Sequence, residues 1–172
     1  MKNPQLEFKT ISKHRMVNHY YPKLKTSLET IGNDIIWHKD SEGLNSIGGI
    51  VLHIIEHVKR NTARLIDPDV KFHEGIENFF PNLNMDKHII LEELKRAFSD
   101  FEIALDHLNA EQIDMYNIYH LVEHTGYHVG QIIDRIQRTT GIRFRFVQNG
   151  LNEKELKKIV EEELKHQPEK FG

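Results

Sequence analysis

The sequence predicts an all-α domain: a four-helix bundle with a short extra helix towards its C-terminal end. Three observations carry that expectation. Four long segments repeat apolar residues three and four apart, the period of one helix face. No segment alternates with the period of two that a half-buried strand needs. The third is size: 172 residues, 38% hydrophobic and 28% charged, suit one globular domain over 1–172, with a core over about 6–141 and an extension over about 150–167. Amphipathic helices of this length bury their stripes by packing on one another.

The first helix is expected from Leu6 to Ile31, with Ile11, Val17, Tyr20, Leu24, Leu28 and Ile31 on its stripe and Gly32-Asn33 closing it. Pro22 lies inside and should kink the helix or break it after His19-Tyr20-Tyr21. The second runs from about Ser46 to Leu65, capped by Asn45 or Ser46 and stopped before Asp67-Pro68. Its Gly48 and Gly49 weaken it and permit close helix approach. A polar stretch with Pro68, Gly75 and Pro81 leads to a third helix over about Met85 to Leu108, and a fourth runs from about Asp114 to Thr140, ending at Gly141. The second-to-third connection is long enough to cross an end of the bundle, so the helix order need not be up-down-up-down. Asn152 and Glu155 then form a cap-like pair before Leu156, Ile159, Val160 and Leu164, a short helix lying on the bundle or on a partner.

Composition excludes several chemistries. Lys+Arg at 23 against Asp+Glu at 26 gives a net charge of −3, which supplies no charge ground for a nucleic-acid partner, and none is expected. Arg135, Arg138, Arg143 and Arg145 cluster locally, but a solvated helix C-terminus favoured by its dipole explains them. With no cysteine there is no disulfide, thiolate nucleophile or sulfur-held metal, so any ion must be held by nitrogen and oxygen. The opening MKNPQLEFKT has no signal-type apolar region, and the run Ile50-Val51-Leu52 ends at His53. The expected location is cytoplasmic, with no membrane partner.

Histidine is the unusual residue, 12 in 172. Three pairs stand four apart, His53/His57, His120/His124 and His124/His128, against about 0.8 expected by chance. Imidazoles one helical turn apart can converge on one ion. At about 100° per residue from Ile118, His128 lies at about 280°, His124 at about 240° and His120 at about 200°, so the first two border the apolar stripe and His120 drifts towards solvent. Counted from Ile47, His57 at about 280° sits slightly nearer its stripe than His53 at about 240°. Three or four of these nitrogens meeting between helices would make a transition-metal site. The scattered His14, His19, His38, His73, His88, His107 and His166 read as surface or structural residues.

Asn45-Ser46-Ile47-Gly48-Gly49-Ile50-Val51-Leu52-His53, taken with Val122-Glu123-His124-Thr125-Gly126-Tyr127-His128-Val129-Gly130-Gln131-Ile132, resembles the DinB-like superfamily, and Tyr20-Tyr21-Pro22-Lys23-Leu24 resembles its first helix. The resemblance covers about residues 15–140. It implies a four-helix bundle, commonly a homodimer, holding a divalent transition metal such as zinc or nickel on His53, His124 and His128. His57 departs from the pattern, standing where relatives often carry Asn. It can fill the open coordination position, support a ligand or point elsewhere. Gln131 and Tyr127 are further candidates to support the site, with Glu123 a weaker one for proton transfer. The resemblance implies a metal-dependent transferase joining a low-molecular-weight thiol to a small electrophilic substrate. The alternatives are a hydrolase using metal-bound hydroxide and a non-catalytic metal- or ligand-binding bundle. Because each imidazole must be neutral to donate, metal affinity is expected to fall as pH drops through about 6.5.

Overall fold

The computed structural model describes residues 3–166, which form helices and loops without a strand. The first helical column starts at Pro4, two residues before the expected Leu6, because the Asn3 side chain accepts from the Gln5 and Leu6 amides and Pro4 needs no partner at the first position. It comprises α1 (Pro4–His14), a π-helical segment (Arg15–Tyr20) and α2 (Tyr21–Glu29). Of the kink or break expected near Pro22, the break does not occur, since the helix does not end there; the disturbance takes the form of this wide π turn just upstream. Proline has no amide to donate and crowds the carbonyl four residues back, and a widened turn relieves that clash without ending the helix.

After Gly32 comes a short helix, α3 (Asn33–Trp37), whose five residues are too few to display a period. Then follow α4 (Ile47–Ile66), α5 (Lys87–His107), α6 (Met115–Thr140) and α7 (Glu153–His166). Each long helix begins on a cap that the sequence supplies: Ser46 accepts from Gly49, Asp86 from His88 and Asp114 from Asn117. Gly141 ends α6 with φ 73°, a conformation costly for a residue with a Cβ. The expected end of the extension at residue 167 lies just outside the described residues.

Helix α4 packs on α5 and α6, and the α1–α2 column packs on the other sides of α5 and α6. The shared core includes Met16, Leu24, Leu28, Ile50, Ile54, Phe98, Phe101, Ile118 and Ile132, all essentially without solvent exposure. Helices α4 and α5 start at the same end. Trp37 packs on Gly48 at the start of α4 and donates from Nε1 to the Met85 carbonyl at 2.8 Å, just before α5. Lys87 donates its amide to Asn33 at 2.8 Å beside the same corner. The segment 67–86 must therefore return along α4 before α5 begins, which is why a simple up-down alternation fails.

That return strand of loop is tied down along its length. Phe72 lies under the Arg60 and Arg64 guanidinium groups, each 5.1 Å from its ring centre, and Arg60 donates to the His73 carbonyl at 2.8 Å. Further on, the Phe80 and Pro81 carbonyls come so close to Gly49 that a Cβ there would meet them at 3.3 and 3.2 Å.

Helix α7 docks on α1 and the π turn, burying Leu156 and Val160. Its acids answer a row of basic side chains on the first column, buried at Lys13 and His14 and half-buried at Arg15. Glu163 contacts Lys13 at 2.7 Å and His14 Nε2 at 2.6 Å, and Glu153 contacts Arg15 at 2.8 Å. Of the two expected places for this helix, the structure has it on the body of its own chain.

No helix among the described residues is long and apolar enough to cross a membrane.

Gly48→Ala tests the corner that sets the helix order. The new Cβ would lie 2.7 Å from the Trp37 ring, which its hydrogen bond to Met85 holds in place. Alanine gains about 1 kcal/mol of helix propensity and overpacking costs about 1–3 kcal/mol. The expected net result is a loss of stability, read as a lower urea midpoint; an unchanged or raised midpoint would mean that Trp37 is free to move.

Candidate metal centre

Ser46 starts α4 so that His53 and His57 fall on the side facing α6, and α6 runs antiparallel, presenting His128, His124 and His120 in reverse order. One ring nitrogen from each of His53, His124 and His128 lies within 4.8 Å of the others. The closest approach is between the Nε2 atoms of His53 and His124, at 2.9 Å. Two nitrogens on one tetrahedral zinc, each about 2.0–2.1 Å from it, would be about 3.3 Å apart, so the pair is already near ligand spacing.

Neighbours fix which nitrogen carries the proton. The Nδ1–H of His53 donates to the Phe79 carbonyl at 3.1 Å, which leaves a lone pair on Nε2 in the neutral ring. His128 Nδ1 donates to Gln131 Oε1 at 2.8 Å, with the same consequence, and the Gln131 amide donates in turn to the Tyr127 phenol at 2.9 Å. Such carbonyl and amide partners orient metal-binding imidazoles. The Phe80 ring stacks on His53 with centroids 4.1 Å apart and 20° between planes, roofing the imidazole against water.

Burial follows the helical angles on α6: His128 is buried, His124 half-buried and His120 exposed. On α4 the angular order is reversed, with His53 at 1% exposure and His57 at 8%. Phe79 and Phe80, which a helical wheel cannot contain, are the reason. His57 packs 4.0 Å from the His124 ring and 4.6 Å from the His53 ring, and its buried Nε2 has no hydrogen-bond partner. A buried nitrogen left unpaired costs about 1–3 kcal/mol, so His57 is the orphan of the cluster. His120 lies further out, its ring 5.7 Å from that of His124 and 6.3 Å from that of His57.

The five histidines line a cavity of about 450 Å³. Ile50 and Phe80 give it apolar walls, and Asn45, Glu77, Tyr127, Gln131 and Arg135 give it polar ones. The candidates Gln131, Tyr127 and His57 are thus all at the site, whereas Glu123 is exposed and is not among the lining residues. Of the scattered histidines, His14 and His19 are buried among ion pairs and the other five are exposed. Arg138, Arg143 and Arg145 are exposed, as a solvated helix end requires, but Arg135 turns into the cavity wall and donates to the Asn45 carbonyl. Sequence reasoning missed Arg135, Phe79 and Phe80. An adjacent aromatic pair in an otherwise polar loop was the available signal for the last two.

Burial, reinforced by the neighbouring imidazoles, pushes His53 and His124 down to about 4 and His57 to about 3. Burial also lowers His128, against the opposing pull of Gln131. At neutral pH the rings are therefore neutral, and protons compete for His53 and His124 only near pH 4 instead of the ordinary 6.5. The donor set of neutral imidazoles suits zinc, nickel and similar ions. Comparison with protein-family models, curated proteins and solved structures finds no match to this chain.

The same shifts fix a stability slope for the metal-free protein. Below pH 6.5 the unfolded chain takes up protons that the folded one, with its imidazoles held down at about 4, refuses. Stability should be level above pH 7 and fall between pH 6.5 and 4.5, above the range where carboxylates such as Glu153 and Glu163 contribute. Urea midpoints across pH 4.5–8 measure it, and His57→Gln should flatten the slope. A midpoint that stays level to pH 4.5 would mean the imidazoles are not dry.

Proposed function

We propose that this chain is a DinB-like four-helix-bundle protein that binds one divalent ion, zinc or nickel, through His53, His124 and His128. In this reading it is a metal-dependent transferase that joins a low-molecular-weight thiol to a small electrophile, acting as a cytoplasmic homodimer. The observation that carries the reading is the convergence of three ring nitrogens, two of them on rings oriented by a neighbour, from two helices within 4.8 Å and beside a cavity of about 450 Å³. The resemblance of the two histidine blocks supports the ligand set, the thiol chemistry and the dimer.

When bound, a divalent ion on neutral imidazoles supplies Lewis acidity that lowers the pKa of a thiol or water it holds. The chain's own residues do the rest. Phe79 and Gln131 fix the proton on the outer nitrogens of His53 and His128, so both rings offer Nε2 without rearrangement. Phe80 keeps water from His53, and Ile50 extends the apolar wall where a small substrate would lie. Tyr127, held by Gln131, places a phenol at the exposed rim, within reach of an incoming group.

A second reading has its own observation. The unpaired Nε2 of His57, on a ring packed against His124, suits a fourth ligand that closes the site and leaves no position for a substrate. Metal retained after dialysis, in protein prepared without immobilised-metal chromatography, separates the two. The open site requires about one equivalent in wild type, loss in His53→Ala, His124→Ala and His128→Ala, and retention in His57→Ala with affinity weakened about 10–100-fold at most. Equal loss in His57→Ala and His53→Ala would establish the closed site and remove the catalytic reading.

Activity gives a further test. Metal-loaded protein is expected to accelerate conjugation of a small thiol to a model electrophile, and chelation to abolish the excess rate. Ester or amide cleavage that needs no thiol, with conjugation at background, would transfer the proposal to a hydrolase.

A further inference from the structure

Arg135 is the one guanidinium lining the histidine cavity among the described residues. It stands seven residues beyond His128 on α6, about 10 Å along the helix axis, at the end of the cavity where Asn45 precedes α4. Arg15, Arg60, Arg96 and Arg138 each pair with a carboxylate. Arg64, Arg143 and Arg145 make no ion pair with a described residue, but all three are exposed. Arg135 is half-buried and makes no ion pair with a described residue; one of its amino groups donates to the Asn45 carbonyl, and a guanidinium has five N–H donors in all. The acidic lining residue, Glu77, belongs to the other end, since it also lines the cleft of Arg60, Arg64 and Phe72.

Along the antiparallel helices the cavity therefore runs from the imidazole nitrogens, past a middle lined by Ile50 and Phe80 on one side and Gln131 on the other, to a cationic fork with donors to spare. A half-buried guanidinium without a counter-charge is suited to a planar anion, which it can grip through two parallel hydrogen bonds while Asn45 holds it in place. We infer that Arg135 is a carboxylate-binding residue and that the substrates of this site are small carboxylic acids, gripped at Arg135 with their reacting end at the histidines. This rests on the proposed metal site for its reacting end, but not for the carboxylate grip itself.

Two probes of similar size, 3-mercaptopropionate and the uncharged 3-mercaptopropanol, test it in two forms of the protein. In the metal-free protein, the Arg135 Nε–H resonance should shift saturably with the acid and not with the alcohol. In cobalt-loaded protein, where the visible spectrum reports thiol binding, the acid should bind at least about tenfold more tightly than the alcohol, the effect of one added charge-assisted contact. Arg135→Gln should abolish the preference, and Arg135→Lys should keep part of it. Equal binding of the two probes to wild type overturns the inference without any variant, so a variant that folds poorly for want of its Asn45 contact does not protect it. A preference that survives in Arg135→Gln also overturns it, by assigning the carboxylate to the metal. Failure to bind cobalt, together with an acid-specific Arg135 shift, would instead remove the metal reading and leave the carboxylate site standing.

Discussion

The contact on which the rest of the structure turns is the meeting of His53 and His124, Nε2 to Nε2 at 2.9 Å, across the seam between antiparallel α4 and α6. Two imidazoles so close cannot both be charged, and burial has already pushed each down to about 4. Neutral rings in a dry seam are poor core material: His57 leaves a nitrogen unpaired, and a Leu or Phe would bury more apolar surface without that cost. Three ring nitrogens held within 4.8 Å of one another could hold one metal ion between them.

Several distant features serve that seam. Trp37 on Gly48 sets where α4 begins, and so which of its residues face α6. The return of segment 67–86 along α4, tied by Phe72 under two arginines, delivers the Phe79 carbonyl and the Phe80 ring to His53. At the far side, α7 covers Lys13, His14 and Arg15 with Glu163 and Glu153, so the first column can carry basic side chains away from solvent while its apolar residues face the core. The loop that looks least ordered in sequence is thus the one that orients a candidate ligand.

Much of this was legible in the chain, for local reasons. The long helices, their caps at Ser46 and Asp114 and the stop at Gly141 are written in neighbouring residues. The gradient of burial from His128 to His120 follows from a 100° rotation per residue. What was not legible depends on long-range contact. Pro22 announces a disturbance in a helix, but not that a π turn upstream will absorb it. Arg135 resembles any cation at a helix end until α4 places Asn45 opposite it. The relative burial of His53 and His57 is decided by Phe80, 27 positions along the chain from one and 23 from the other. No periodicity spans such a loop.

The most direct test of the central claim is X-ray absorption at the metal edge of protein reconstituted with one equivalent of zinc. Three imidazoles on one ion are expected, with first-sphere nitrogen at about 2.0–2.1 Å, the multiple-scattering pattern of histidine rings and one remaining light-atom ligand. A spectrum fitted by a single imidazole with carboxylate or water oxygens would place the ion elsewhere on the surface, and would contradict the account of the α4–α6 seam as a metal centre.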